Sequence, residues 1–458
     1  MKVIVCGAGQ VGFNIARHLA NEHNDVTVID RSPKLIAKIQ NSLDVQAIVG
    51  YASHPDLLEK AGARDADMII AVTLFDEVNM MACQVAHSLF DVPTKIARVR
   101  DQSYLKSMWQ DLFSRDHMPI DVIISPEIEV ARAAIRRLEV PGAFDMIPFA
   151  DDKVQVVGVK LDDDCPVVDT PLRQLTELFP DLNIVVCGIM RNGKLIVPSS
   201  TDQLLVGDNI YFVSEKSHVQ RALNVFGHEE EEARRIIIVG GGNVGLFIAE
   251  QLFEDNPKIQ VKIIELKQER ATYVAEKLPK AIVLNGDALD LELHKEANVA
   301  GTETIIAVTN DDKVNILASS LAKHGGCKRA IALINNHDFG PLTNSVGIDA
   351  FVDPRQTTVS SILQHMRRGR IRSLQTLAGG AAEVLEAVAL ETSPLVGKPL
   401  RDVKLPAGII VGAIIHEGEV IVPRGRTIIK TNDIVIVFTR ADMVRKVEEL
   451  FTVKLEYF

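Results

Sequence analysis

Short β-branched apolar runs recur through the first 125 residues: VIVC from Val3, DVTVID from Asp25, QAIVG from Gln46, MIIAVT from Met68, TKIARVR from Thr94 and DVIIS from Asp121. Between them lie stretches whose apolar residues return at helical spacing. Strands alternating with helices in this way predict a βαβ series and a parallel, doubly wound sheet. The segment PEIEVARAAIRRLEVPGAFD, from Pro126, predicts a helix and a linker, because proline is accepted in a first helical turn and Pro141-Gly142 punctuates the end. The strands VQVVGVKL, NIVVCGIMR, KLIVP and NIYFVS then follow one another with turns between them, and Asn192-Gly193 suits a two-residue hairpin.

This whole order occurs a second time. IIIVGGGNVG, from Ile236, echoes VIVCGAGQVG from Val3, and IIAVTNDDKVNILA, from Ile305, echoes IIAVTLFDEVNMMA from Ile69. Thr73, Asp76 and Asn79 match Thr309, Asp312 and Asn315 at one constant offset, and Gly193, Pro198 and Asp208 match Gly418, Pro423 and Asp433 at a slightly shorter one. A collinear match with drifting offset is what a duplicated chain with loop insertions and deletions produces. The expected organisation is α/β: two tandem Rossmann-like doubly wound parallel-sheet domains, each followed by a small α+β C subdomain. The expected bounds are 1–125, 145–228, 229–353 and 375–458, with crossover helices and linkers at 126–144 and 354–374. The four consecutive glutamates from Glu229 read as a solvated linker that opens the second half.

Charge and cysteine usage narrow the function. The net charge is −11, so no general attraction to nucleic-acid phosphates or anionic lipid is expected. The five cysteines are scattered, with no Cys-x-x-Cys spacing, which suits a reducing cytoplasm. The N-terminus runs straight into a strand and a Gly-rich turn, with no signal-peptide pattern, and no apolar run approaches the ~20 residues needed to span a bilayer. No direct membrane insertion is expected.

The glycine motifs carry the candidate chemistry. Gly7 permits a tight strand-to-helix turn, Gly9 lets backbone approach a pyrophosphate, and Gly12 allows close packing of helix on strand. Asp30 closes the next strand, where a carboxylate accepts both ribose hydroxyls of an adenosine and repels a 2′-phosphate, favouring NAD over NADP. Gly240, Gly242, Gly245 and Glu265 repeat the pattern. Thr73 and Thr309, at the ends of the fourth strands, read either as ligand contacts or as caps of the helices that follow. Arg98 ends the fifth strand as a candidate phosphate donor, whereas the second half has Leu333 there. Cys83 and His87 share a helix face but do not make a zinc site, and no hydrolase, zincin or Walker motif is present. An NAD-dependent oxidoreductase remains the alternative reading, although the small β-rich units offer little of a conventional substrate domain. A nucleotide-sensing gene regulator is disfavoured by the acidic charge.

On these motifs the chain resembles tandem RCK domains, regulators of potassium conductance, over essentially its whole length. VIVCGAGQVG, VTVID, AVTLFDEVN and ARVRD, with IVGGGNVG, VKIIE and AVTNDDKVN, carry the resemblance. It implies a regulatory subunit rather than an enzyme. Such a subunit sits on the cytoplasmic face of an integral membrane potassium-translocating subunit and forms a ring, expected here to be a homotetramer. The implied ligands are NAD(H) and, as alternatives, ATP and ADP. Transferred by position, the contacts would be Gly7, Ala8, Gly9, Gln10, Val11, Asp30, Thr73, Leu74 and Arg98, then Gly240, Gly241, Gly242, Asn243, Val244 and Glu265. One departure stands out. The Gly-Asp-Ala that often follows the third strand is kept at Gly286–Ala288, but the first copy has Gly50, Tyr51 and Ala52, which places an aromatic ring where a base could lie.

Overall fold

Four sheets organise the molecule in the computed structural model, which describes residues 1–451 except 22, 180, 231, 337, 338, 340, 341, 343 and 367–370. The chain divides into two compact units, Met1–Ala133 with Val352–His365, and Ala134–Phe351 with Met366–Phe458.

The first unit holds a six-stranded parallel sheet of β1 (Lys2–Cys6), β2 (Asp25–Asp30), β3 (Gln46–Val49), β4 (Met68–Ala71), β5 (Thr94–Arg98) and β6 (Val122–Ile124). Their order is β3-β2-β1-β4-β5-β6, so the topology reverses between β1 and β4. Helices α1 (Gln10–Asn21), α2 (Pro33–Ser42), α3 (Pro55–Lys60) and α4 (Asp76–Phe90) form the crossovers. In α1 the buried residues are Gly12, Ile15, Ala16 and Leu19, one stripe of a 3.6-residue period. The helix α2 starts where Ser32 accepts the Leu35 amide and Pro33 takes the first turn.

α5 (Pro126–Glu139) leads from the first unit into the second. There β7 (Ala143–Phe149), β8 (Val154–Lys160), β9 (Ile184–Arg191), β10 (Lys194–Ile196) and β11 (Asn209–Glu215) make an antiparallel sheet in the order β10-β9-β11-β8-β7, with α6 (Leu172–Leu178) and α7 (Val219–Val225). β7 begins at Ala143, inside the stretch read as linker. The Asn192-Gly193 hairpin is present, with φ of +51° and +73°.

The second parallel sheet contains β12 (Arg235–Val239), β13 (Gln260–Glu265), β14 (Ile282–Asn285), β15 (Thr304–Ala307), β16 (Arg329–Leu333) and β17 (Ala350–Val352) in the order β14-β13-β12-β15-β16-β17. Its crossovers are α8 (Asn243–Asp255), α9 (Gln268–Lys277), α10 (Leu291–Glu296) and α11 (Asp312–His324). The buried stripe of α8, Gly245, Ile248, Ala249 and Leu252, repeats that of α1 residue for residue. After it comes α12 (Pro354–Met366), whose residues up to His365 belong with the first unit, a long-range placement that the local pattern does not announce. The last sheet is antiparallel: β18 (Ile371–Leu377), β19 (Ala382–Val388), β20 (Ile409–His416), β21 (Glu419–Ile421) and β22 (Ile434–Arg440), followed by α13 (Val444–Phe451). β18 lies partly within the stretch read as crossover helix. Of that stretch, 367–370 lie outside the described residues, as do Glu231 of the acidic run and the last seven residues.

Within the second unit the two antiparallel sheets share a core built from Phe149, Val156, Cys187, Tyr211, Val213, Val384, Ile436 and Phe438, among others. Glycines let them approach: a Cβ on Gly188 would lie 2.6 Å from the Phe438 ring, and one on Gly412 would lie 2.5 Å from Val213. Glu386 seals one side by accepting the Ala150 amide at 2.9 Å. The internal duplication therefore forms a pseudo-symmetric pairing of its own C-terminal sheets.

Candidate functional site

Both glycine turns sit at the C-terminal edge of a parallel sheet, at the switch point where open α/β sheets bind ligands. Gly7 has φ +111°, and a Cβ there would lie 3.0 Å from the backbone of Val72 and Thr73. A Cβ on Gly12 would sit 1.8 Å from the Gly7 carbonyl oxygen, so helix and turn touch there. Gly9 differs, because nothing lies within 4 Å of its Cβ position. In the second turn Gly240 has φ +105°, Gly245 would clash at 2.0 Å with the Gly240 carbonyl, and Gly242 again faces open space. In each motif the first and last glycines satisfy packing, while Gly9 and Gly242 leave room for a bound group.

Gln10 and Val11 open α1, and Asn243 and Val244 open α8, so each turn is followed by first-turn N–H groups that have no intrahelical acceptor. These amides and the helix dipole form a cradle suited to phosphate. The acidic strand ends lie beside it. Asp30 Oδ2 accepts the Ala8 amide at 2.7 Å and Oδ1 accepts Ser32 at 2.8 Å. Glu265 does the same with Gly241 at 2.7 Å and Lys267 at 2.9 Å. Each carboxylate thus fastens the glycine turn to the neighbouring strand, a structural role additional to the one its spacing suggests. Carboxylate oxygens have further lone pairs, so ribose hydroxyls can still be accepted.

Thr73 and Thr309 are not helix caps. The cap of α4 is Phe75, and that of α11 is Asp311, whose side chain accepts Lys313 and Val314 amides. Each threonine instead gives its amide and hydroxyl to a buried asparagine: Thr73 to Asn79 at 2.8 and 2.7 Å, Thr309 to Asn315 at 2.9 and 2.6 Å. The same asparagines donate to the carbonyls of Arg98 and Leu333. Asparagine therefore ties the ends of the fourth and fifth strands together in both halves, and Arg98 and Leu333 are confirmed as equivalent positions.

Arg98 is more withdrawn than a surface phosphate donor. Its Nη2 donates to the Thr73 carbonyl at 2.9 Å, and its Nε is buried without a hydrogen bond among the described residues. Burial lowers its pKa and Arg100 adds to the effect, while Glu127 and Asp76 oppose it. Leu74 stands largely exposed beyond the strand end. Tyr51 is half exposed and stacks on His54, with centroids 5.2 Å apart.

Further participants lie outside the glycine motifs. Asp76 accepts the Arg100 and Asp101 amides, each at 2.9 Å, and Asp312 plays the same part for Asn335 and Asn336. Arg100 also pairs with Glu127 of α5 at 2.7 Å. In the second turn Arg270 donates to the Gly241 carbonyl at 2.6 Å and to Asn243 at 3.2 Å, and its guanidinium lies 4.8 Å from the Tyr273 ring centroid. Leu35 holds the equivalent place in the first half. The shared Asp-x-x-Asn of the two halves was a usable signal for the aspartates; nothing in the repeat marks Arg270. Cys83 is buried with its thiol pushed up to about 12 by that burial, and no cluster of three or more His, Cys, Asp or Glu suited to a metal occurs among the described residues. No described helix is long and apolar enough to cross a membrane.

The TrkA-N domain matches residues 3–126 and 236–354, and the TrkA-C domain matches 156–227 and 384–452. The chain is 53% identical over 458 residues to the Trk system potassium uptake protein TrkA of Azorhizobium caulinodans, covering all of both chains. It is 40% identical over 462 residues to that of Halomonas elongata, again covering all of both. Among solved structures, the GsuK RCK domain superposes with a TM-score of 0.59 at 17% identity, over 98% of this chain and 94% of that one. The GsuK channel bound to NAD gives 0.59 at 17%, over 98% and 78%. These structural likenesses establish the fold. With both domain types present twice and full-length relatives at this identity, the chain belongs to the TrkA family of Trk system potassium uptake proteins.

Proposed function

We propose that the chain is a nucleotide-binding regulatory subunit of potassium uptake, which converts the occupancy of its glycine turns by NAD(H), ATP or ADP into a change of flux through a membrane partner. The observation that carries this reading is the pair of turns, each left open at one glycine and each fastened by a carboxylate at the end of the adjoining strand. In the first half the contacts would come from Gly7, Ala8, Gly9, Gln10, Val11, Asp30, Thr73, Leu74 and Arg98. In the second they would come from Gly240, Gly241, Gly242, Asn243, Val244 and Glu265. The TrkA relatives are named as potassium uptake proteins, and a GsuK channel is described with NAD bound. Both support a regulatory ligand over a consumed one.

The partner is an integral membrane potassium-translocating subunit of the TrkH/TrkG type, and the chain acts as a homo-oligomer, a tetramer, on the cytoplasmic side of the membrane. A ligand shifts such an assembly only if it binds two of its geometries with different affinity; typical coupling is ~1–3 kcal/mol per site. The Arg100–Glu127 pair offers one mechanical link, because it joins the ligand end of β5 to the first turn of α5, the helix that leaves the first unit.

The test is potassium flux through the reconstituted complex under NAD, NADH, ADP and ATP in turn. Flux that changes with the nucleotide while NADH is not consumed is the expected result. Oxidation of NADH at the expense of a second substrate, with flux indifferent to nucleotide, would favour the oxidoreductase reading instead.

A further inference from the structure

The first cleft carries an arrangement that the second lacks. Arg31 follows Asp30 at the end of β2, and its guanidinium carbon lies 5.3 Å from the ring centroid of Phe75, which opens α4 after β4. Strands β2 and β4 both flank β1, so they stand about 10 Å apart. The Arg31–Phe75 pair therefore bridges the segments that follow the two strands on either side of β1. Both residues are exposed, and Phe75 presents half of its surface to water.

We propose that Arg31 and Phe75 form a base clamp that gives the first site its selectivity for ligands bearing a flat purine base. This rests on the reading of the cleft as an adenine-nucleotide site and names which residues grip the base. Phe75 is the jaw with the anchored backbone: its N–H donates to the Thr73 hydroxyl at 3.4 Å, and its carbonyl accepts the backbone N–H of Asn79 at 3.1 Å. Arg31 is the adjustable jaw, with a long exposed side chain whose planar guanidinium stacks on π-faces. A base between them needs contact distance on both faces, about 7 Å in all, so Arg31 has to retreat by about 2 Å, within reach of a rotamer change. With no base, the cation–π contact closes the same gap.

In the second half Leu266 replaces Arg31 and Asp311 replaces Phe75. The Asp311 carboxylate is committed to capping α11 through the Lys313 and Val314 amides. Neither jaw exists there, so discrimination by base belongs to the first site.

The experiment uses the full chain, labelled with 8-azido-ATP and mapped by peptide mass spectrometry so that each half is read separately, with ATP and inorganic tripolyphosphate as competitors. In the wild type, ATP should protect the first half at far lower concentration than tripolyphosphate. Phe75→Ala and Arg31→Ala should each raise the protecting ATP concentration about tenfold, the scale of a lost base-stacking partner. Protection by tripolyphosphate, and labelling of the second half, should not change. Phe75→Trp should restore ATP protection. Unchanged ATP protection in both alanine variants, or an equal loss for tripolyphosphate, would overturn the clamp while leaving the site in place. Absence of any ATP-protected labelling in the wild-type first half would instead overturn the site, and the clamp with it.

Discussion

Asp30 and Ala8 are joined by a 2.7 Å hydrogen bond from the backbone amide of the glycine turn to the carboxylate at the end of the next strand. The position that the motif assigns to ribose recognition thus also holds the turn in shape. Asp30→Ala is expected to weaken adenine-nucleotide binding in the first half and also to lower stability. Bonds to a charged group are worth about 1.5–3 kcal/mol, and partial exposure of this one places the loss near the lower end. Glu265→Ala should act likewise on the second half through Gly241. Calorimetric titration with NADH alongside urea melts of the full chain checks both; a ligand-only effect would mean that the anchoring bond contributes nothing.

The glycines of one motif should separate cleanly under alanine substitution. Gly12→Ala and Gly245→Ala place a methyl 1.8 and 2.0 Å from backbone carbonyls, which forces helix and strand apart. A loss of about 3 kcal/mol or more is expected, the upper range for overpacking, because backbone cannot give way as a side chain can. Gly9→Ala and Gly242→Ala meet nothing within 4 Å and should leave the urea midpoint nearly unchanged while reducing nucleotide affinity. Midpoint and affinity measured on the same four variants decide it.

How much of this was legible beforehand depends on whether the signal was local. The two turns, the acidic strand ends and the strand-helix alternation follow from residues adjacent in sequence, and each appears where its spacing places it. β7 and β18 were hidden because they follow a helix directly and carry mixed patterns, AFDMIPF with an internal proline and IRSLQTL with an arginine near its start. The grouping of α12 with the first unit, and the shared core around Phe438, depend on contacts between segments hundreds of residues apart. Thr73 illustrates a different limit. A threonine before a helix invites the capping assignment, but the buried Asn79 competes for its hydroxyl and wins. Arg270 had no motif to announce it, since an arginine in a first helical turn usually faces water.

The junction between halves should respond to pH through His228. Burial disfavours its charged form, but hydrogen bonds to Glu230 and to the Lys160 carbonyl outweigh this and raise its pKa above 6.5. Glu230 is lowered by the same pair. A histidine raised in the folded state stabilises fully below its unfolded value and loses that contribution as pH rises through the folded one. Glu230 works in the opposite sense: its contribution is present above 4.5 and is lost as pH falls through its lowered value. Urea midpoints of wild type should therefore decline from about pH 6 to pH 8 relative to His228→Gln. Parallel curves for the two proteins would remove the pair from the pH dependence.

The two sites should also differ in how they meet phosphate, though not in the way that Arg98 alone suggests. From the strands, only the first half supplies a guanidinium, which would give that half the greater preference for ATP over NAD. The structure ties Arg98 to the Thr73 carbonyl and places a second guanidinium, Arg270, directly on the Gly241 carbonyl and Asn243 of the other turn. Arg270 is therefore the arginine closer to the amides that would cradle a phosphate, and a charge-assisted bond there contributes on the order of 1.5–3 kcal/mol, less to the extent that water screens it. Arg270→Leu, which copies Leu35 of the first half, should reduce ATP affinity of the second half by about tenfold, corresponding to ~1.4 kcal/mol. It should leave the first half unaffected. Arg98→Leu should lower ATP affinity of the first half by less, since Arg98 bonds to the end of β4 at Thr73 and not to the glycine turn itself. Half-resolved ATP and NAD competition on the full-length variants measures both effects. A larger loss from Arg98→Leu than from Arg270→Leu would return the phosphate role to the strand position and leave Arg270 as a brace for the glycine turn.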